Sequence, residues 1–141
     1  MKIVLFQGSK LAWAAAALSV LLPATAVAWK ADNRLDVHPL PSSEAFEVIG
    51  RPGSGGSDYW CAAGDYALRQ LGASATARIY ITRTRGAPET SNRLESVQFS
   101  LSPVDGQTTR TPPFLSMRRV GDNLSVTFAR NYCLDLKNLE F

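Results

Sequence analysis

The residues with the most reactive side chains are Cys61 and Cys133, the two cysteines of the 141-residue sequence. Cys61 stands in the stretch SGGSDYWCAAGDYALRQLG (Ser54 to Gly72), in the first turn of an expected helix and behind a glycine-rich loop. Three chemistries are open to a thiol there. As a nucleophile or redox centre it would use the free amides of the helix N-terminus, which favour the thiolate. As a zinc ligand it would need partners, and two cysteines with the single histidine, His38, make at most three. As half of a disulfide it needs only Cys133 and an oxidising compartment. Neither a C-x-x-C pair nor a neighbouring base accompanies Cys61, so the disulfide Cys61–Cys133 is the expectation. Closing a loop of about 72 residues would stabilise a small domain by ~4 kcal/mol in the chain-entropy model.

The loop GRPGSGGS (Gly50 to Ser57) is the second lead, because glycine loops between a strand and a helix cradle anions. It meets the phosphate-loop pattern at Gly50, Gly55 and Ser57, but Gly56 stands where the lysine is required. The dinucleotide pattern fails as well, since Asp58 takes the position of its third glycine and would repel a pyrophosphate. Nucleotide binding is therefore not expected. A small anion held by Gly53, Gly55, Gly56 and Ser57 is the remaining functional reading, beside that of a plain strand-to-helix connection.

Other side chains offer less. His38 precedes Pro39 in a polar segment that supplies no second shell for an imidazole, so neither a metal site nor a catalytic residue nor a cofactor is expected. Asp58 and Asp65 share a helix face two turns apart, too distant for a coupled acid pair, and read as solvated helix acids. Tyr80, Arg83, Arg85, Arg118 and Arg119 form the candidate binding surface: an aromatic ring among guanidinium groups suits a carboxylate, a glycan or an acidic protein edge. An ordinary solvated sheet face would look the same in sequence.

These residues need elements to position them. The segment 29–43 is polar, contains Pro39 and Pro41, and reads as an extended N-terminal arm. EAFEVIG (Glu44 to Gly50) alternates Ala45, Glu47 and Ile49 against Phe46 and Val48, as a strand does. A helix follows, opened by Ser57 or Asp58 and closed by Gly72, with Trp60, Gly64, Ala67 and Leu71 at helical spacing. TARIYITRT (Thr76 to Thr84) and ESVQFSLS (Glu95 to Ser102) read as strands. FLSMRRV and LSVTFARNY flank Gly121-Asp122-Asn123 as a hairpin whose inward set is Leu124, Val126 and Phe128. The expected fold class is α+β: one helix on a mostly antiparallel sheet, in the order β-α-β-β-β-β, as a single disulfide-stapled domain over 44–141.

Residues 1–28 have the order of a secretory signal: Lys2 and Lys10, an uncharged apolar run, then PATAVA ending in Ala26-Val27-Ala28, with cleavage expected after Ala28. The run is short for a bilayer span and contains Pro23, so no stable membrane anchor is expected after cleavage. The full sequence carries 15 basic and 12 acidic residues, net +3, and loses two lysines with the signal, leaving about +1. That is no footprint for nucleic acid.

DYWCAAGDYALRQLGASATARIYITRTRG together with the late RRVGDNLSVTFARNYC resembles small uncharacterised secreted proteins of Gram-negative bacteria, in which a W-C-A-A-G-D-type helix start accompanies a late cysteine. The resemblance spans about Glu44 to Cys133. It implies a periplasmic or secreted protein and agrees with the Cys61–Cys133 pairing, and it carries no activity. The sequence thus reads as an exported non-catalytic binding or accessory domain whose partner is a protein or envelope component. The alternatives are a small thiol-dependent enzyme or redox protein using Cys61, and a small-ligand carrier with its pocket between helix and sheet.

Overall fold

Alternating apolar residues build the sheet, and a run of small and aromatic residues builds the helix that covers it. The computed structural model describes residues 27–42, 44–93, 95–106 and 116–137. Its elements are β1 (Trp29–Lys30), β2 (Asp36–Pro39), β3 (Ala45–Ile49), α1 (Gly56–Arg69), β4 (Arg78–Gly86), β5 (Ser96–Ser100), β6 (Asn123–Ser125) and α2 (Val126–Lys137). The six strands form one sheet in the order β1-β2-β3-β5-β4-β6, every neighbouring pair antiparallel. The fold is α+β, stapled by the disulfide Cys61–Cys133.

Period-two alternation sends Val37, Phe46, Val48, Ile79, Ile81, Val97, Phe99 and Leu124 to one face of the sheet, where all are buried. Against them α1 packs Trp60, 5.1 Å from Phe99 between ring centroids, and Tyr66, 4.7 Å from Phe46. Every residue of α1 from Tyr59 to Ala67 is buried, because the helix has the sheet on one side and α2 on the other. Gly64 lets α1 and α2 approach closely. A Cβ on Gly64 would lie 2.5 Å from the Arg130 amide nitrogen and 2.9 Å from the Ala129 carbonyl carbon. One turn earlier on α1, Cys61 joins Cys133 with their Cα atoms 4.8 Å apart. The disulfide therefore links two helices, where the sequence had led us to expect a helix tied to a strand.

Two further expectations are corrected. The segment 29–43 supplies β1 and β2 rather than an extended arm, and Ala31, Leu35 and Val37 join the core. Its apolar alternation is only a few residues long, and Pro39 is tolerated because it ends a strand next to the sheet edge. Secondly, LSVTFARNY is a strand only as far as Ser125, where α2 begins. Ser125 Oγ accepts from the Phe128 amide at 3.2 Å, an N-cap arrangement, and Val126, Ala129 and Cys133 then follow helical spacing into the core. Phe128, expected inside, is 53% exposed. Arg119 and Asp122 close a turn through Gly121 (φ 93°), after which β6 pairs with β4 instead of with the preceding segment. The order of elements is thus β-β-β-α-β-β-β-α. Apart from Val27 and Ala28, the expected signal peptide lies outside the described residues, as do Phe114 and Leu115.

Candidate functional site

The sheet face turned away from α1 is polar, and its centre is a row that crosses four strands. His38 on β2 pairs with Glu47 on β3, Glu47 with Gln98 on β5, and Gln98 with Arg83 on β4. A register shift between Ile81 and Arg83 brings Arg83 into this row. Glu47 is fully buried. Its carboxylate accepts from Arg83 Nη2 (2.9 Å), Ser96 Oγ (2.7 Å), Gln98 Nε2 (3.3 Å), the Glu89 amide (3.0 Å), the Thr90 amide (2.9 Å) and Thr90 Oγ1. Burial alone would push this carboxyl up. The hydrogen bonds from Thr90, Ser96 and the two amides more than reverse that and hold it at about 2. Glu47 is an ionised, acceptor-saturated anchor that pins the β4–β5 loop over the polar face, and such a group neither gives nor takes a proton near neutral pH.

A second buried carboxylate organises the opposite side of α1. Asp65 was expected to be solvated, but it is fully buried. It receives Arg69 Nε and Nη2 at 2.7 and 2.6 Å, the Asp32 amide at 2.8 Å and Arg130 Nε at 3.3 Å. Burial would raise its carboxyl, whereas the Arg69 contact and the Asp32 amide lower it, and the lowering prevails. The Arg69 guanidinium also lies 4.8 Å over the Trp29 ring. Asp65 thereby fastens the N-terminal strands, α1 and α2 to one another.

The expected binding surface divides. Arg83 is committed to Glu47 and Ser96. Arg85 turns elsewhere: its Nη1 meets Glu95 Oε1 at 3.3 Å and its guanidinium lies 5.0 Å over the Tyr59 ring. Tyr59 Oη donates to the same Glu95 oxygen at 3.0 Å, and burial with this acceptor pushes its hydroxyl well above the usual tyrosine range. Tyr80 is half-buried on the polar face, opposite Ser100 and Asn123. Arg118 and Arg119 are exposed beside the turn that precedes β6. Among the described residues they make no ion pair with an acid, unlike Arg83 and Arg85.

The glycine loop has packing reasons of its own. A Cβ on Gly50 would fall 2.0 Å from Tyr59 Oη, and Gly53 has φ +87°. The Gly55 amide donates to Asp58 Oδ2 at 2.7 Å, so the loop of Gly53, Gly55, Gly56 and Ser57 carries its own anion. Asn33 Nδ2 donates to the Asp58 carbonyl at 2.8 Å and holds the N-terminal strands against this turn. Among the described residues no group of three or more His, Cys, Asp or Glu is placed to hold a metal ion. On the outer face of α2, Phe128, Asn131, Tyr132, Leu134 and Asp135 line an open groove of about 410 Å³.

Sequence reasoning did not foresee the burial of Glu47 or Asp65. The alternation had put Glu47 on the face of Ala45 and Ile49, which is where it lies, but nothing local foretold the loop amides that fold over it. The disulfide marks maturation in an oxidising compartment, and no helix among the described residues is long and apolar enough to cross a membrane. Comparison with family models, curated proteins and solved structures finds no match.

Proposed function

We propose that this chain is an exported, non-catalytic binding or accessory domain of the bacterial envelope, periplasmic or secreted, acting on a protein or envelope partner. The observation that supports this reading most is where the reactive groups go. Cys61 and Cys133 are joined and buried, and Glu47 and Asp65 are saturated with donors. The exposed guanidinium groups of Arg118 and Arg119, with the half-buried Tyr80 on β4, are groups that bind rather than react.

Export is supported by the charged, apolar and small-residue segments of 1–28, and by β1 starting at Trp29, next to the expected cut. Val27, 81% exposed, and the exposed Ala28 would be open to a peptidase. The thiol-enzyme alternative would require the buried disulfide to open. A ligand carrier with its pocket between helix and sheet is disfavoured too, since Trp60, Tyr66, Phe46 and Phe99 fill that space.

The test is site-specific photo-crosslinking from Tyr80 and Arg119 in the exporting cell. Defined adducts at Arg119 that disappear when Tyr80 and Arg118 are both changed to Ala are expected. Adducts unchanged in that variant would contradict the assignment of the surface.

A further inference from the structure

β4 is nine residues long, whereas β6 pairs with it only across Arg78–Tyr80. The Asp122 carbonyl adds one more bond, from the Ile81 amide at 2.9 Å, and the Gly121 amide donates to the Ile81 carbonyl at 2.9 Å. There the chain leaves the strand through the turn closed by Asp122 N and Arg119 O. Beyond it, Thr82–Arg85 has β5 on one side and no strand on the other among the described residues. An uncovered edge of this kind presents backbone donors and acceptors to any extended chain.

The charges around the edge say which chain it would accept. Arg83 is answered by Glu47 and, at 3.9 Å, by Glu89; Arg85 is answered by Glu95. Arg118 and Arg119 stand at the turn where cover of the edge ends, exposed, and meet no carboxylate among the described residues. Asp122, the nearest acid in sequence, is buried. The edge is therefore bordered by two unanswered positive charges. The apolar groove on α2 gives no comparable indication of its occupant.

We infer that Thr82–Arg85 is a docking edge that takes an acidic peptide as an added strand, main chain to main chain, with peptide carboxylates on Arg118 and Arg119. The added strand continues the line of β6 along β4 on the far side of the turn. Backbone pairing supplies affinity without demanding one sequence, and the two arginines select acidic over neutral or basic segments. This inference rests on the reading of the chain as a binding domain and names the class of its partner.

The probes are fluorescein-labelled eight-residue peptides alternating Glu and Val, with Gln/Val and Lys/Val counterparts and Glu/Val versions N-methylated at alternate amides in either phase. Binding to the mature chain is followed by anisotropy. The Glu/Val peptide is expected to bind and to weaken with added salt. Arg118→Glu with Arg119→Glu should weaken it roughly tenfold or more, as should methylation in the phase that faces β4. The variant's melting transition checks that it folds. Equal binding of both methylated peptides would overturn strand addition, and equal binding of the Glu, Gln and Lys peptides would overturn the acidic preference. Absence of any binding also overturns the inference, and so does sedimentation showing that the edge is closed by a second copy of the chain. Peptide failure with the crosslinks at Arg119 and Tyr80 retained would remove the edge and leave the binding reading standing, whereas loss of both would remove the two together.

Discussion

Glu47→Gln is the perturbation whose size follows most directly from the structure. The carboxylate is fully buried and collects donors from Arg83, Ser96, Gln98, Thr90 and the Glu89 amide. Its pKa is about 2 in the folded protein against 4.5 for the free group. A depressed carboxylate stabilises the fold above the unfolded value, and the contribution fades as pH falls from 4.5 towards 2. That shift corresponds to about 3 kcal/mol at neutral pH. Gln keeps the shape but removes the charge from Arg83 and turns an amide group toward hydrogen-bond donors on one side of the site. Breaking a buried pair in this way typically costs ~3–5 kcal/mol, a large share of the ~5–15 kcal/mol that holds a small domain together. Guanidinium unfolding followed by the fluorescence of buried Trp60 would measure it, at pH 7 and at steps down to about pH 2. The wild type should exceed the variant by about 3 kcal/mol or more at pH 7, and the difference should shrink through the acid range. Asp65 is lowered in the same direction, so the difference curve, and not the wild-type curve alone, belongs to Glu47. A difference below ~1 kcal/mol at pH 7, or parallel acid curves, would refute the assignment of Glu47 as the anchor of the polar face.

Other outcomes follow from the same packing. Gly64→Ala should destabilise by at least ~1–3 kcal/mol, since its Cβ would meet α2 backbone, whereas Gly55→Ala, with its nearest neighbour at 3.8 Å, should change stability far less; thermal melts of the two variants side by side check the contrast. Asp65→Asn removes the charge from the Arg69 and Arg130 contacts and should loosen the N-terminal strands, seen as faster amide exchange at Leu35 and Val37 than at Val97 and Phe99. Replacing Cys61 and Cys133 by Ala together should lower stability by ~4 kcal/mol, read from denaturant midpoints.

The parts of the molecule that were legible in its sequence are those whose signal is local and long. β3, β4 and β5 each alternate over five residues or more, α1 is bounded by an N-terminal acid and by a glycine past its end, and the only two cysteines of the sequence name each other. β2 was hidden because four residues ending in proline carry too little alternation to stand against Pro39 and Pro41. α2 was hidden because Leu124, Val126 and Phe128 satisfy a strand period, while Val126, Ala129 and Cys133 satisfy a helical one. The serine that caps the helix decided between them. Of the candidate site, the division of Arg83 from Arg85 depends on register shifts in β4, and the burial of Glu47 and Asp65 depends on partners more than 30 residues distant in sequence. Such contacts leave no mark within a window of sequence.

The central claim is that Cys61 is a structural residue of an exported domain and that function lies on the surface. The most direct test is the intact mass of the protein purified from its exporting host, alkylated under denaturing conditions with and without prior reduction. The account predicts a chain beginning at Trp29 that takes up no alkyl group until it is reduced, and then two. A chain that keeps residues 1–28, or a Cys61 thiol that reacts without reduction, would contradict it.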